Sequence, residues 1–78
     1  MPETEEKQIL AANLRRLRTS SGISQEELAS RAGLHRTYIS SIERGQRNVS
    51  IENIFALARA LSCDPRELLA PLEAPRES

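Results

Sequence analysis

The sequence predicts an all-α fold, a compact bundle of five short helices. Three observations predict it. Apolar residues recur at steps of three and four, as in Leu10, Leu14 and Leu17, which is helical spacing. Strong helix-start signals recur at Ser24, Ser50 and Asp64. No stretch alternates apolar and polar residues as a half-buried strand does.

Each element follows in order. Residues 1–4 are short, polar and terminal, and are expected to be loose. The first helix starts at Thr4 or Glu5 and stops between Ser20 and Gly22, where serines and glycine disfavour a helix interior. Its apolar stripe is Leu10, Leu14 and Leu17, widened by Ile9 and Ala12, with Asn13, Arg15 and Arg16 expected on the wet side. Ile23 packs inward before the cap at Ser24, and Glu27 completes a capping box. Leu28, Ala29 and Ala32 form the stripe of the second helix. Gly33 ends it, since glycine takes the left-handed cap conformation at little steric cost.

Leu34 is the apolar residue of the turn that follows. The third helix begins at His35 or Arg36, with Ile39 and Ile42 facing inward. Its other face carries His35, Arg36, Thr37, Tyr38, Ser40, Ser41 and Arg44. Gly45 closes it, and a polar loop leads to Ser50, the cap of a fourth helix over about 51–61. That helix presents Ile51, Ile54, Phe55, Ala58 and Leu61, with Leu57 alongside. Ser62 and Cys63 make a break. Asp64-Pro65-Arg66-Glu67 then reads as cap, first-position proline and third-position acid of a fifth helix reaching Leu69 or Ala70. Pro71 stops it, and residues 72–78 are expected to be loose.

Seventy-eight residues make one domain spanning 1–78, near the low end for independent folding, so a partner copy would be a natural supplement. No run is long enough to span a membrane, the polar, acidic start MPETEEKQ is no secretory signal, and the one cysteine, Cys63, precludes an internal disulfide. These features fit a cytoplasmic protein with no membrane partner. The formal net charge is +0, but the distribution is uneven. From Arg15 to Arg47 lie seven cations (Arg15, Arg16, Arg18, Arg31, Arg36, Arg44, Arg47) and three anions (Glu26, Glu27, Glu43). The remainder is acidic by the same margin. A basic middle with acidic ends suits a molecule that offers one face to phosphate.

No catalytic constellation is present. His35 has no second histidine or cysteine at ligand spacing, so neither a metal site nor a cofactor is expected, nor an enzyme. The productive pattern is Ser24 to Arg44: two short helices about a glycine turn, the layout in which the second helix enters the DNA major groove. Arg36, at the start of that second helix, is the leading base reader, because a planar guanidinium donates twice to guanine O6 and N7. Thr37 offers a methyl or a hydroxyl. Tyr38 offers its ring to a thymine methyl or its hydroxyl to a phosphate. His35 is placed either against DNA or as a plain helix cap, and Ser40 and Ser41 are small enough to let the helix approach closely. Ser24, Gln25, Arg44, Gln46, Arg47 and Asn48 form the expected phosphate set. Gln25 starts a helix whose free N–H groups favour an anion.

The pattern SQEELA-(3)-GL-(4)-IS-(2)-ERG resembles the lambda-repressor-like, Xre-type helix-turn-helix family over about residues 10–69. Within it, HRTYISSIERGQRNVS is similar to the small controller proteins of restriction–modification systems. The resemblance implies a sequence-specific transcriptional regulator acting on its own operon. It implies an ion pair between Arg18 and Glu43 that clamps the first helix to the reading helix. It also implies a phosphate contact from Gln25, a base contact at the position of Ser41, and a backbone clamp from Arg47 and Asn48. In that group, paired operator sites allow activation at low occupancy and repression at high occupancy. A phage-type repressor, an antitoxin component, and a protein-interaction adaptor of the same fold are the rival readings.

One short helix reads only a few base pairs, whereas two copies about 34 Å apart read a palindromic operator in double-stranded DNA. Phe55, Leu68, Leu69 and Leu72 exceed what one small core needs and are the expected homodimer interface. Glu26, on the first motif helix, is the candidate contact to RNA polymerase.

Overall fold

The computed structural model describes residues 5–72. Five helices follow one another: α1 (Glu5–Ser20), α2 (Gln25–Ala32), α3 (Arg36–Glu43), α4 (Ile51–Ala60) and α5 (Pro65–Leu68). There is no strand among the described residues. The expected loose termini lie outside the described residues, apart from Leu72.

The caps act locally as their residue types dictate. Ser24 Oγ accepts from the Glu27 amide at 3.0 Å, and Ser50 Oγ accepts from the Asn53 amide at 3.1 Å. Asp64 Oδ1 accepts from the Arg66 amide at 2.8 Å, with Pro65 as the first residue of α5. Only half of the capping box at Ser24 forms. Glu27 does not reach back; its carboxylate instead meets Arg31 one turn on, at 2.9 Å. Gly33 takes φ 72°, which lets Leu34 N–H bond Ala29 O at 2.9 Å and turns the chain sharply into α3.

The core sits where α2 packs on α3 and α4, α1 on α3 and α5, and α4 on α5. Leu14, Leu28, Ile39, Ile42, Leu57 and Leu68 are its fully buried side chains. Leu68 is therefore not an interface residue. It closes the molecule's own core, because α5 turns it in between α1 and α4.

Four other positions differ from expectation. Asn13 is 3% exposed, not on the wet side. It lies three residues after Leu10 and four before Leu17, inside the apolar stripe. Burial is tolerated because its Nδ2 donates to Leu68 O at 3.0 Å and Ala70 O at 2.9 Å, while Arg16 donates to its Oδ1 at 3.1 Å. Asn13 thus supplies the donors that the short α5 lacks at its carbonyl end. Ala12 is exposed and Ala11 takes its place in the core. Ile51 and Phe55, expected on the apolar face of α4, are 59% and 45% exposed. Ile54, Leu57, Ala58 and Leu61 are the residues that face inward.

Candidate nucleic-acid interface

Helix α3 is short, and its inward side is fully used. Ile39 and Ile42 enter the core, and Glu43 is buried at its last position. Arg36, Ser40 and Arg44 follow at four-residue steps along the opposite side, with Thr37 beside them. Arg36, Thr37 and Arg44 are exposed, and Ser40 is half-buried. His35 occupies the N-cap position with extended backbone, and its ring makes no cap hydrogen bond. The helix start is exposed, with the positive end of the peptide dipoles behind Arg36 and Thr37.

Arg18 and Glu43 set the attitude of this helix. Arg18 Nε donates to Glu43 Oε2 at 2.7 Å and Nη2 to Oε1 at 3.1 Å, while Nη1 donates to Ile23 O at 2.9 Å. Gln25 Nε2 donates to the same carboxylate at 3.0 Å, and Arg15 Nη2 donates to the Glu43 carbonyl at 3.3 Å. One buried carboxylate thus gathers the end of α1, the start of α2 and the end of α3. The hydrogen bonds that Arg18 donates to the Glu43 carboxylate raise its guanidinium above the ordinary arginine range, against the opposing effect of burial. Gln25, expected on phosphate, has its amide committed in part to Glu43. Ser24, also expected there, uses its hydroxyl oxygen on the Glu27 amide.

A second cluster forms where the loop after α3 folds back. Arg47 lies over the Tyr38 ring at 5.6 Å from the centroid, and its Nε donates to Ser41 Oγ at 3.0 Å. Ser41 Oγ donates in turn to Tyr38 O at 2.8 Å. Asn53, on α4, donates through Nδ2 to the Tyr38 hydroxyl oxygen at 3.2 Å. Ser41 is 5% exposed, so it does not present its hydroxyl to a base. It faces the loop because it stands beyond the Arg36–Ser40–Arg44 row, where Arg47 covers it. Arg44 bonds Ser40 Oγ and Gln46 Oε1, and Gln46 and Asn48 are exposed.

Sequence reading missed Asn53 because it belongs to α4 and looks like an ordinary first-turn polar residue. Only its place three residues after the Ser50 cap was visible. Among the described residues, no group of three or more His, Cys, Asp or Glu side chains could hold a metal ion. None of the helices among the described residues is long and apolar enough to cross a membrane.

Residues 14–68 match the helix-turn-helix family model. The chain is 49% identical over 63 residues to control protein C.SmaI of Serratia marcescens, covering 81% of this chain and 75% of that one. It is 50% identical over 62 residues to control protein C.BamHI of Bacillus amyloliquefaciens, covering 78% and 76%. Among solved structures, the restriction-modification controller protein C.AhdI from Aeromonas hydrophila superposes with a TM-score of 0.81 at 51% identity, covering 83% of this chain and 98% of that one. The hypothetical transcription factor NHTF from Neisseria gives 0.83 at 42% identity, covering 91% and 82%.

The glycine-turned helix pair, with Arg36 exposed at the start of its second helix, and the family it matches are those of a helix-turn-helix DNA-binding transcriptional regulator rather than an enzyme. The chain belongs to the helix-turn-helix family and, within it, to the restriction–modification controller proteins.

Proposed function

We propose that this chain acts as a homodimer on a palindromic operator and controls a restriction–modification operon that includes its own gene. The observation that carries the reading is the exposed Arg36–Thr37 start of α3, held at a defined angle by the buried Arg18–Glu43 pair. Arg36 reads a guanine edge, Thr37 and Tyr38 read or line the adjoining groove wall, and His35 and Ser40 lie within reach of the same strand. Arg44, Gln46, Arg47 and Asn48 follow the phosphates, with Ser24 and Gln25 at the start of α2 on the other side of the groove. Ser41 serves from beneath, as the anchor for Arg47. The chain forms one domain over residues 1–78.

The dimer rests on large apolar side chains left in water: Ile51, Phe55, Leu69 and Leu72 are 59%, 45%, 51% and 47% exposed. Ile51 and Phe55 stand one helical turn apart on α4. Glu26, exposed on α2, is the position offered to RNA polymerase.

Selection of bound duplexes from a random pool at near-physiological salt tests the reading. The expected result is a palindrome whose half-sites lie about one helical turn, roughly 34 Å, apart. Recovery of no preferred sequence would overturn it. Sedimentation that finds only the 8.7 kDa species at high micromolar concentration would remove the dimer.

A further inference from the structure

Tyr38 is held in place by a residue outside the helix-turn-helix. Its hydroxyl oxygen accepts from Asn53 Nδ2 at 3.2 Å, and its ring face lies 5.6 Å from the Arg47 guanidinium. The direction of the first bond matters. A phenol has one proton and accepts at its oxygen. Asn53 donates, so it occupies an oxygen lone pair and leaves the proton unspent. We infer that Asn53 is a positioning residue for DNA reading, holding Tyr38 so that its hydroxyl proton is directed at an acceptor on the DNA.

The consequence is chemical. With Asn53 in place, Tyr38 approaches DNA as a donor and matches a phosphate oxygen, guanine N7 or O6, or thymine O4. Without Asn53 the hydroxyl rotates freely and has no fixed partner. Asn53 also sits on α4, one turn before Leu57 of the core and two residues from the exposed Phe55. The aim of Tyr38 is therefore tied to the helix that carries the proposed dimer face.

The inference rests on the DNA-reading role proposed above. Its test uses the full chain and a double-mutant cycle of Tyr38→Phe and Asn53→Ala on the selected operator and on a scrambled duplex. Alanine favours the helix, and the cap bond at this position comes from the Asn53 backbone amide, so the fold is expected to survive. Thermal unfolding checks that. Asn53→Ala is expected to weaken operator binding about fivefold, the worth of one hydrogen bond; an unchanged scrambled duplex assigns the acceptor to a base edge, and an equal loss on it assigns the acceptor to a phosphate. In the Tyr38→Phe background it is expected to add nothing, because the group it positions is gone.

A loss that persists in the Tyr38→Phe background would overturn the inference, as would wild-type affinity for Asn53→Ala. A second readout is independent of DNA. The chain has one tyrosine and no tryptophan, so its intrinsic emission reports Tyr38 alone. Asn53→Ala is expected to change that emission in the free protein, and identical spectra would overturn the coupling. If wild type prefers no duplex at all, the DNA-reading role falls, and the emission still decides whether Asn53 holds Tyr38.

Discussion

The Arg18 guanidinium grips the Glu43 carboxylate in a two-bond fork, and the pair is nearly dry, with side-chain exposures of 15% and 1%. It joins the last turn of α1 to the last residue of the reading helix across 25 residues of chain. The attitude of α3 therefore depends on a contact with a residue far back along the chain.

Breaking that pair from one side leaves a buried charge without its main partner. Arg18→Ala is expected to cost about 3 kcal/mol of stability in urea unfolding, while the double change Arg18→Met/Glu43→Leu recovers most of it. A loss under 1 kcal/mol for the single change would show that Gln25 and Arg15 suffice to hold Glu43.

Adjacent leucines are expected to separate core from surface. Leu68→Ala opens a cavity in a fully buried site and should cost about 2–5 kcal/mol. Leu69→Ala should change the folding of an isolated subunit by less than about 0.5 kcal/mol, yet shift sedimentation toward the monomer. Equal losses of stability would remove Leu69 from the interface.

Reader and clamp are distinguishable in binding. Arg36→Ala should cost about 1–3 kcal/mol and relax preference at one base position. Arg47→Ala should weaken all duplexes alike and lower the salt slope by about one. Identical behaviour of the two variants would abolish the distinction.

Ser62 is the one non-glycine residue with positive φ among the described residues, at 54°. It lets Cys63 N–H bond Ala58 O at 2.9 Å and ends α4. The left-handed conformation costs a side chain about 1–2 kcal/mol, and glycine's greater freedom in the unfolded chain offsets part of the gain. Ser62→Gly should raise the unfolding midpoint by the equivalent of roughly 0.5–1 kcal/mol. A lowered midpoint would mean the serine has a stabilising role of its own.

Acid should weaken the start of α5. Hydrogen bonds from the Arg66 side chain and backbone hold the Asp64 carboxyl below its ordinary range. A folded-state pKa below the unfolded one gives stability that is complete above the ordinary aspartate range. It is lost as pH falls through the lower folded value. Asp64→Asn should flatten that part of the acid limb in unfolding measured against pH. An unchanged acid limb would refute the assignment.

Much of the fold was legible in local chemistry. Ser24, Ser50 and Asp64 announced their helices because a cap acts within three residues of itself. Gly33 announced the turn through its backbone freedom. In the candidate site, exposure was legible where it follows from helical period, as at Arg36 and Thr37. It was not legible at Ser41, whose burial depends on where the loop lays Arg47. Nor was it legible at Asn53, which meets Tyr38 across 15 residues of chain.

The sequence by itself determined the order of helices, the glycine turn, the arginine at the start of α3 and the family. Each is set by neighbours within a turn or by a fixed spacing of residue types. Tertiary structure alone decided which leucine of the Leu68–Leu69 pair is core, why Asn13 is dry and where the Tyr38 hydroxyl is held. Those outcomes depend on the rotation of one helix against another. That rotation is a balance of burial and polar satisfaction over the whole bundle, and no single segment encodes it.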